Sequence, residues 1–175
     1  MRSATAGLAL ALAVAAGWMD YRSRRIPNWL TVPGLLVGIA ANTIAGGWNG
    51  LKASLLGAGL GLLLLLPFVL LRSLGAGDWK LAGAVGAFVG PSDLFSLLLV
   101  SVFVAGVMAM GLIIYKGRLR ETTRNIGHLL VSLATFRAPS NEVSLDNPAA
   151  LKVPYGVALA STVVLYGVLR LRGVV

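Results

Sequence analysis

Residues 53–71 read ASLLGAGLGLLLLLPFVLL and carry no ionisable side chain. A helix of these nineteen residues is about 28 Å long, close to the ~30 Å hydrocarbon thickness of a bilayer. One such run could be the core helix of a soluble protein. Five more occur, at 4–20, 30–46, 78–91, 93–115 and 153–169, and six together leave a chain of 175 residues too little polar surface to face water. The composition agrees, with 57% hydrophobic and 12% charged residues. The expected architecture is an all-α, polytopic membrane helix bundle of about six transmembrane helices, a single integral domain over residues 1–175. The short fourth run meets the fifth through Gly90-Pro91-Ser92-Asp93, a turn sequence; fusing them into one kinked span over 78–115 would give five.

Lysine and arginine set the expected orientation. Arg22, Arg24 and Arg25 follow the first span, Arg72 follows the third, and Lys116, Arg118, Arg120, Arg124, Arg137 and Lys152 lie between the fifth and sixth. Placing these ten on the cytoplasmic side leaves Arg2, Lys52, Arg170 and Arg172 outside, with both termini outside. Arg170 and Arg172 then violate the rule. Reading residues 1–17 as a signal peptide would instead translocate the arginine cluster, which is unfavourable.

The basic cytoplasmic loop 116–152 is the one long polar segment. Leu119, Ile126, Leu130 and Leu133 recur in it at helical spacing among arginines, which predicts an amphipathic helix on the inner leaflet. His128 falls on that helix and reads as solvated or lipid-facing. The net charge of +9 fits contact with anionic lipid, not nucleic acid. With no cysteine, disulfides, thiol catalysis and cysteine metal sites are excluded. GxxxG at 34–38, 46–50, 57–61 and 86–90 is barely enriched for a chain with 22 glycines; it predicts close helix packing without specifying a dimer. Trp18, Trp29, Trp48 and Tyr115 fall near span ends and read as interface anchors; Tyr155 and Tyr166 either do the same or pack inside.

Six acids are present: Asp20, Asp78, Asp93, Glu121, Glu142 and Asp146. The last four fall in turns or the long loop, where a solvated surface role suffices. Asp20 ends the first span and Asp78 begins the fourth, which puts both at the cytoplasmic membrane face. Ionisable groups there are functional by default. Two carboxylates at one depth can share a proton, one serving as general base on water while the other donates to a carbonyl. Gly75 and Gly77 leave room for a substrate backbone, and Lys80 adds a nearby positive charge. Taken singly, Asp78 is equally read as a helix cap, and Asp20 as an ion-pair partner of Arg22, Arg24 or Arg25.

The segments MDYRSRRIPNWLT, GAGDWKLAGAVGA and KVPYGVALA resemble, in that order, three segments of the type IV prepilin peptidases: their aspartate-arginine-Ile-Pro-Asn segment, their Gly-x-Gly-Asp-x-Lys segment and the proline-glycine motif that opens their last span. The closest likeness is to short, six-span members associated with tight-adherence (Flp-type) pili. The resemblance implies a membrane-embedded aspartic endopeptidase of the bacterial inner membrane. Such an enzyme cleaves the basic leader from prepilins or pilin-like proteins at the cytoplasmic face, with Asp20 and Asp78 catalytic. It marks Arg25, Pro27, Asn28, Gly75, Gly77, Lys80, Pro154 and Gly156 as motif positions that shape the site or position substrate. Trp79 stands where the family has a smaller apolar residue. Long members add an N-terminal domain, often with paired cysteines, and methylate the new N-terminus; without such a domain, cysteines or a nucleotide loop, N-methyltransfer is not expected here. No metal or cofactor is implied. The partners implied are the pilin substrate and the bilayer, with no nucleic acid, and the oligomeric state is open. Two rivals use the same acids: a presenilin-like protease with other substrates, and a non-enzymatic transporter or proton pathway.

Overall fold

The computed structural model describes residues 3–71, 73–117, 127 and 153–172. Among them the elements are helices: α1 (Ser3–Ser23), α2 (Asn28–Leu70), α3 (Ala76–Val89), α4 (Pro91–Lys116) and α5 (Tyr155–Leu171). Prolines stand where helices begin. Pro27 and Pro154 precede α2 and α5, and Pro91 opens α4, a position where a missing N–H costs nothing. Apart from Gly127, the expected amphipathic helix and the rest of the loop from Arg118 to Lys152, His128 included, lie outside the described residues.

α2 is two helices folded against each other. Gly47, at φ 57° and ψ −138°, is non-helical, a conformation open to glycine and closed to residues with a Cβ. Residues 28–46 and 48–70 leave it in opposite directions. Asn28 meets Lys80 and Leu62 meets Trp79, whereas Asn42 and Ser54 both reach Ala87. The first arm therefore runs parallel to α3 and the second antiparallel. The break expected over residues 47–52 is thus a single residue. Gly90, at φ 81° and ψ 174°, makes the equivalent break between α3 and α4, so residues 78–115 are not one kinked helix.

α3 is the central element: every residue from Leu81 to Val89 is buried. Its neighbours approach closely because glycines face it. A side chain on Gly57 would overlap the Gly86 carbonyl, one on Gly86 the Gly57 carbonyl, one on Gly61 the Ala82 carbonyl and one on Gly38 the Ala87 methyl. The GxxxG glycines thus pack helices within the chain. α1 and α5 are antiparallel, with Gly17 against Ala160 and Leu10 against Gly167.

The outer surface is apolar. α2 and α4 are long and apolar enough to cross a membrane, and large side chains such as Leu63, Phe103 and Val107 are more than 70% exposed. Water would penalise such a surface and hydrocarbon does not. Trp18, Trp29, Trp48 and Tyr115 are all exposed, as interface anchors must be.

One expectation changes. Asp93 does not end in a solvated turn: its Oδ2 accepts from Tyr166 Oη at 2.6 Å and from an Arg170 guanidinium nitrogen at 2.8 Å. Arg170 also donates to the Tyr166 hydroxyl. Arg170, one of the two arginines that the expected orientation leaves outside, is thus paired. Tyr166, left open between anchoring and packing inside, is part of this cluster.

Candidate active site

Four chain segments meet at one end of the bundle: the last turn of α1, the extended strap 24–27, the first turn of α3 and the first turn of α5. α1 stops after Ser23, where Arg24 adopts φ 51°, the one positive-φ non-glycine among the described residues. Its N–H still bonds the Asp20 carbonyl at 2.8 Å. A left-handed arginine is strained by roughly 1 kcal/mol, and strain of this kind gathers at functional sites. The strap then carries Ile26, only 7% exposed, inward between the starts of α3 and α5. A Cβ on Gly77 would lie 3.0 Å from the Ile26 carbonyl, and one on Gly156 would lie 2.7 Å from Ile26 Cδ1. Both motif glycines are thus explained by the passage of this one side chain.

Asp20 is buried at 6% exposure. Its Oδ2 accepts from the Val157 backbone N–H at 3.1 Å, and the Gly156 amide also faces it. The start of α5 carries no side-chain cap, so its free N–H groups supply the stabilisation a helix N-terminus offers an anion. No ion pair joins Asp20 to Arg22, Arg24 or Arg25 among the described residues.

Asp78 stands in the first turn of α3, after the N-cap Gly75. Its Oδ2 faces Gly75, 3.0 Å from where a Cβ would be. Oδ1 is buried with no hydrogen-bond partner. A buried carboxylate oxygen left unpaired is costly. Gly156 lies against Asp20, where a Cβ on it would come within 2.8 Å of Oδ2.

Asp20, Arg24, Gly75 and Asp78 line both of two adjoining cavities. The larger, about 500 Å³, is closed by Arg25, Pro27, Asn28, Gly77 and Lys80; the smaller, about 220 Å³, by Leu74, Val153, Pro154 and Tyr155. All ten motif residues singled out in the sequence are therefore at this end of the bundle. Lys80 donates to Asn28 Oδ1 at 2.8 Å, which ties α3 to the start of α2. Trp79 lines neither cavity; its indole N–H bonds the Leu62 carbonyl at 2.6 Å. Three contributors went unread in the sequence: Ile26, the Val157 amide and the Tyr155 wall. Ile26 had a signal, being the one apolar residue in the polar strap Arg24-Arg25-Ile26-Pro27-Asn28.

Two carboxylates around a water-sized opening can hydrolyse a peptide bond, one activating water and the other protonating the carbonyl. No cluster of metal-binding side chains occurs among the described residues.

A sequence profile described as the type IV leader peptidase family matches residues 7–110, a span that includes Asp20 and Asp78 and ends before α5. Proteins named "Prepilin leader peptidase/N-methyltransferase" are similar. The one from Aeromonas hydrophila is 36% identical over 110 residues, 59% of this chain and 38% of its own length. The one from Burkholderia pseudomallei strain 1026b is 37% identical over 122 residues, 65% of this chain and 38% of its own. The one from Neisseria gonorrhoeae is 33% identical over 115 residues, 62% and 40%. The chain thus spans about two fifths of the length of these curated relatives. No solved structure gives a significant match.

Proposed function

The chain belongs to the type IV leader peptidase family, and we propose that it is an aspartic endopeptidase that removes the leader from type IV prepilins or pilin-like proteins. The observation that carries this reading is the pair Asp20 and Asp78 lining the same two cavities, one oxygen of Asp78 buried and unpartnered. Asp20 and Asp78 are the catalytic groups in this proposal. Gly75, Gly77, Pro154 and Gly156 leave the space around them, and Arg25, Pro27, Asn28 and Lys80 form the wall on which substrate is positioned. The matched stretch holds the two aspartates, so the proposal takes the peptidase activity and leaves the methyltransferase name with the relatives.

The proposed setting is a six-span bundle in the bacterial inner membrane, with the site at the cytoplasmic face and membership of the Flp-type group. Its support is the fold-back of α2 at Gly47, which makes two antiparallel arms from one helix, and the arginines at 22, 24 and 25 beside the site. The test is co-expression with a pilin precursor. Asp20→Asn and Asp78→Asn should each abolish the mobility shift of leader removal. Intact processing in either variant would sink the assignment.

A further inference from the structure

We infer that Tyr155 is a positioning residue for the aspartate pair, and that its hydrogen bond to Ser101 sets where the start of α5 stands against the two carboxylates. This inference rests on the peptidase reading. α5 presents the Val157 N–H to Asp20 Oδ2 at 3.1 Å and sets Gly156 against the same carboxylate. Its first turn has no side-chain cap, so something else must hold it in register.

Ser101 of α4 supplies that hold. It is fully buried, and its hydroxyl donates to the Leu98 carbonyl at 2.8 Å. Its Oγ also lies 2.8 Å from Tyr155 Oη, a hydrogen bond in which either hydroxyl can donate. The ring forms part of the smaller cavity beside Asp20 and Asp78. Tyr155 is a strut with an aromatic face.

The position of the strut gives it leverage. Ser101 is the last buried residue of α4, every residue from Val102 to Lys116 being partly or fully exposed. At the opposite end, α4 and α5 are pinned by Asp93, Tyr166 and Arg170. Removing the Ser101 bond leaves the start of α5 held by its packing against α1 and Ile26 and by the Val157–Asp20 bond itself, so any shift there is felt directly at Asp20.

The test uses the full chain, purified and assayed on a pilin precursor, with rates normalised to folded enzyme. Tyr155→Phe keeps the ring and the cavity wall and loses only the hydroxyl; Ser101→Ala removes its hydrogen-bond partner. Each should lower kcat by about tenfold with KM within about twofold, the size expected for one lost hydrogen bond acting on the transition state. The double variant should be no slower than the slower single one, because both changes break one bond. Asp93→Asn, which weakens the far pin, should lower thermal stability and leave kcat within about twofold.

Single variants with wild-type kcat, multiplying effects, an effect on KM alone, or an equal loss of kcat in Asp93→Asn would each overturn the inference. If Tyr155→Phe does not accumulate, Ser101→Ala carries the same comparison. Asp20→Asn separates the two levels. An inactive Asp20→Asn beside an unimpaired Tyr155→Phe rejects the strut alone, and an active Asp20→Asn rejects the peptidase reading itself.

Discussion

Gly156 has the most demanding position of any residue at the site, because its missing side chain lets two others exist where they do. A Cβ there would lie 2.7 Å from Ile26 Cδ1 and 2.8 Å from Asp20 Oδ2. The isoleucine terminus can rotate away; the carboxylate cannot without leaving the Val157 N–H. Gly156→Ala should therefore lose about one charge-assisted hydrogen bond, on the order of 2 kcal/mol or roughly thirtyfold in rate. A processing time course on folded variant enzyme measures it, and a rate within about threefold of wild type would show that Asp20 does not depend on this amide. The sequence already pointed at both aspartates, since charges at span ends are conspicuous in an apolar chain, and the resemblance to the peptidase family marked this glycine. It was silent on Tyr155, which looked like one more aromatic near a span end, and on the partner of Lys80. Those identities depend on which helices meet across the bundle, and neither periodicity nor spacing carries that information.

At the scale of the helices, the second surprise is how α3 ends. The last carbonyls of a helix have no partner within it, and in an apolar setting they must find one. Asn42 Nδ2 lies 2.8 Å from the Ala87 carbonyl, 2.9 Å from that of Phe88 and 3.1 Å from Ser54 Oγ; Ser54 Oγ in turn donates to Ala87 at 2.7 Å. One arm of α2 supplies Asn42 and the other Ser54, so the polar cluster fastens the fold-back at Gly47 to the helix that carries Asp78. Asn42→Leu should leave the Phe88 carbonyl without this donor and the Ala87 carbonyl with Ser54 alone, at about 2 kcal/mol, and lower the unfolding midpoint by about 4–8 °C for a chain of this size. The site is some ten residues along α3, about 15 Å away, so activity per folded molecule should hold. Thermal unfolding and a normalised assay together check both halves. A variant that stayed folded but lost activity would mean that the fold-back also sets the height of Asp78. In the sequence, the span limits around 46 and 53 were legible from hydropathy, whereas the hinge at Gly47 was not. Gly46, Gly47 and Gly50 are alike on paper, and only packing against α3 decides which one turns the chain.

Across the whole molecule, the charges now sort by end. The aspartate pair, the strap arginines and Lys80 share one end of the bundle, and the Asp93–Arg170 pair marks the other. The proposed topology requires the first end to face the cytoplasm. The native chain has no cysteine, so single cysteines report accessibility without background. Ser23 and Ala76 are both exposed, one at the close of α1 and one at the opening of α3. Lys52 is exposed shortly after the Gly47 turn, at the opposite end. Ser23→Cys and Ala76→Cys should react with a membrane-impermeant maleimide only when the cytoplasmic face is open to it, in inverted vesicles. Lys52→Cys should react only in intact spheroplasts. A uniform reversal of all three would keep the shared site and invert the protein, which would remove the site from the face where the proposed substrate carries its leader. Labelling of Ser23→Cys and Ala76→Cys from opposite faces would be more damaging. No bundle that puts Asp20 and Asp78 around one cavity can separate residues three and two positions away from them by a bilayer.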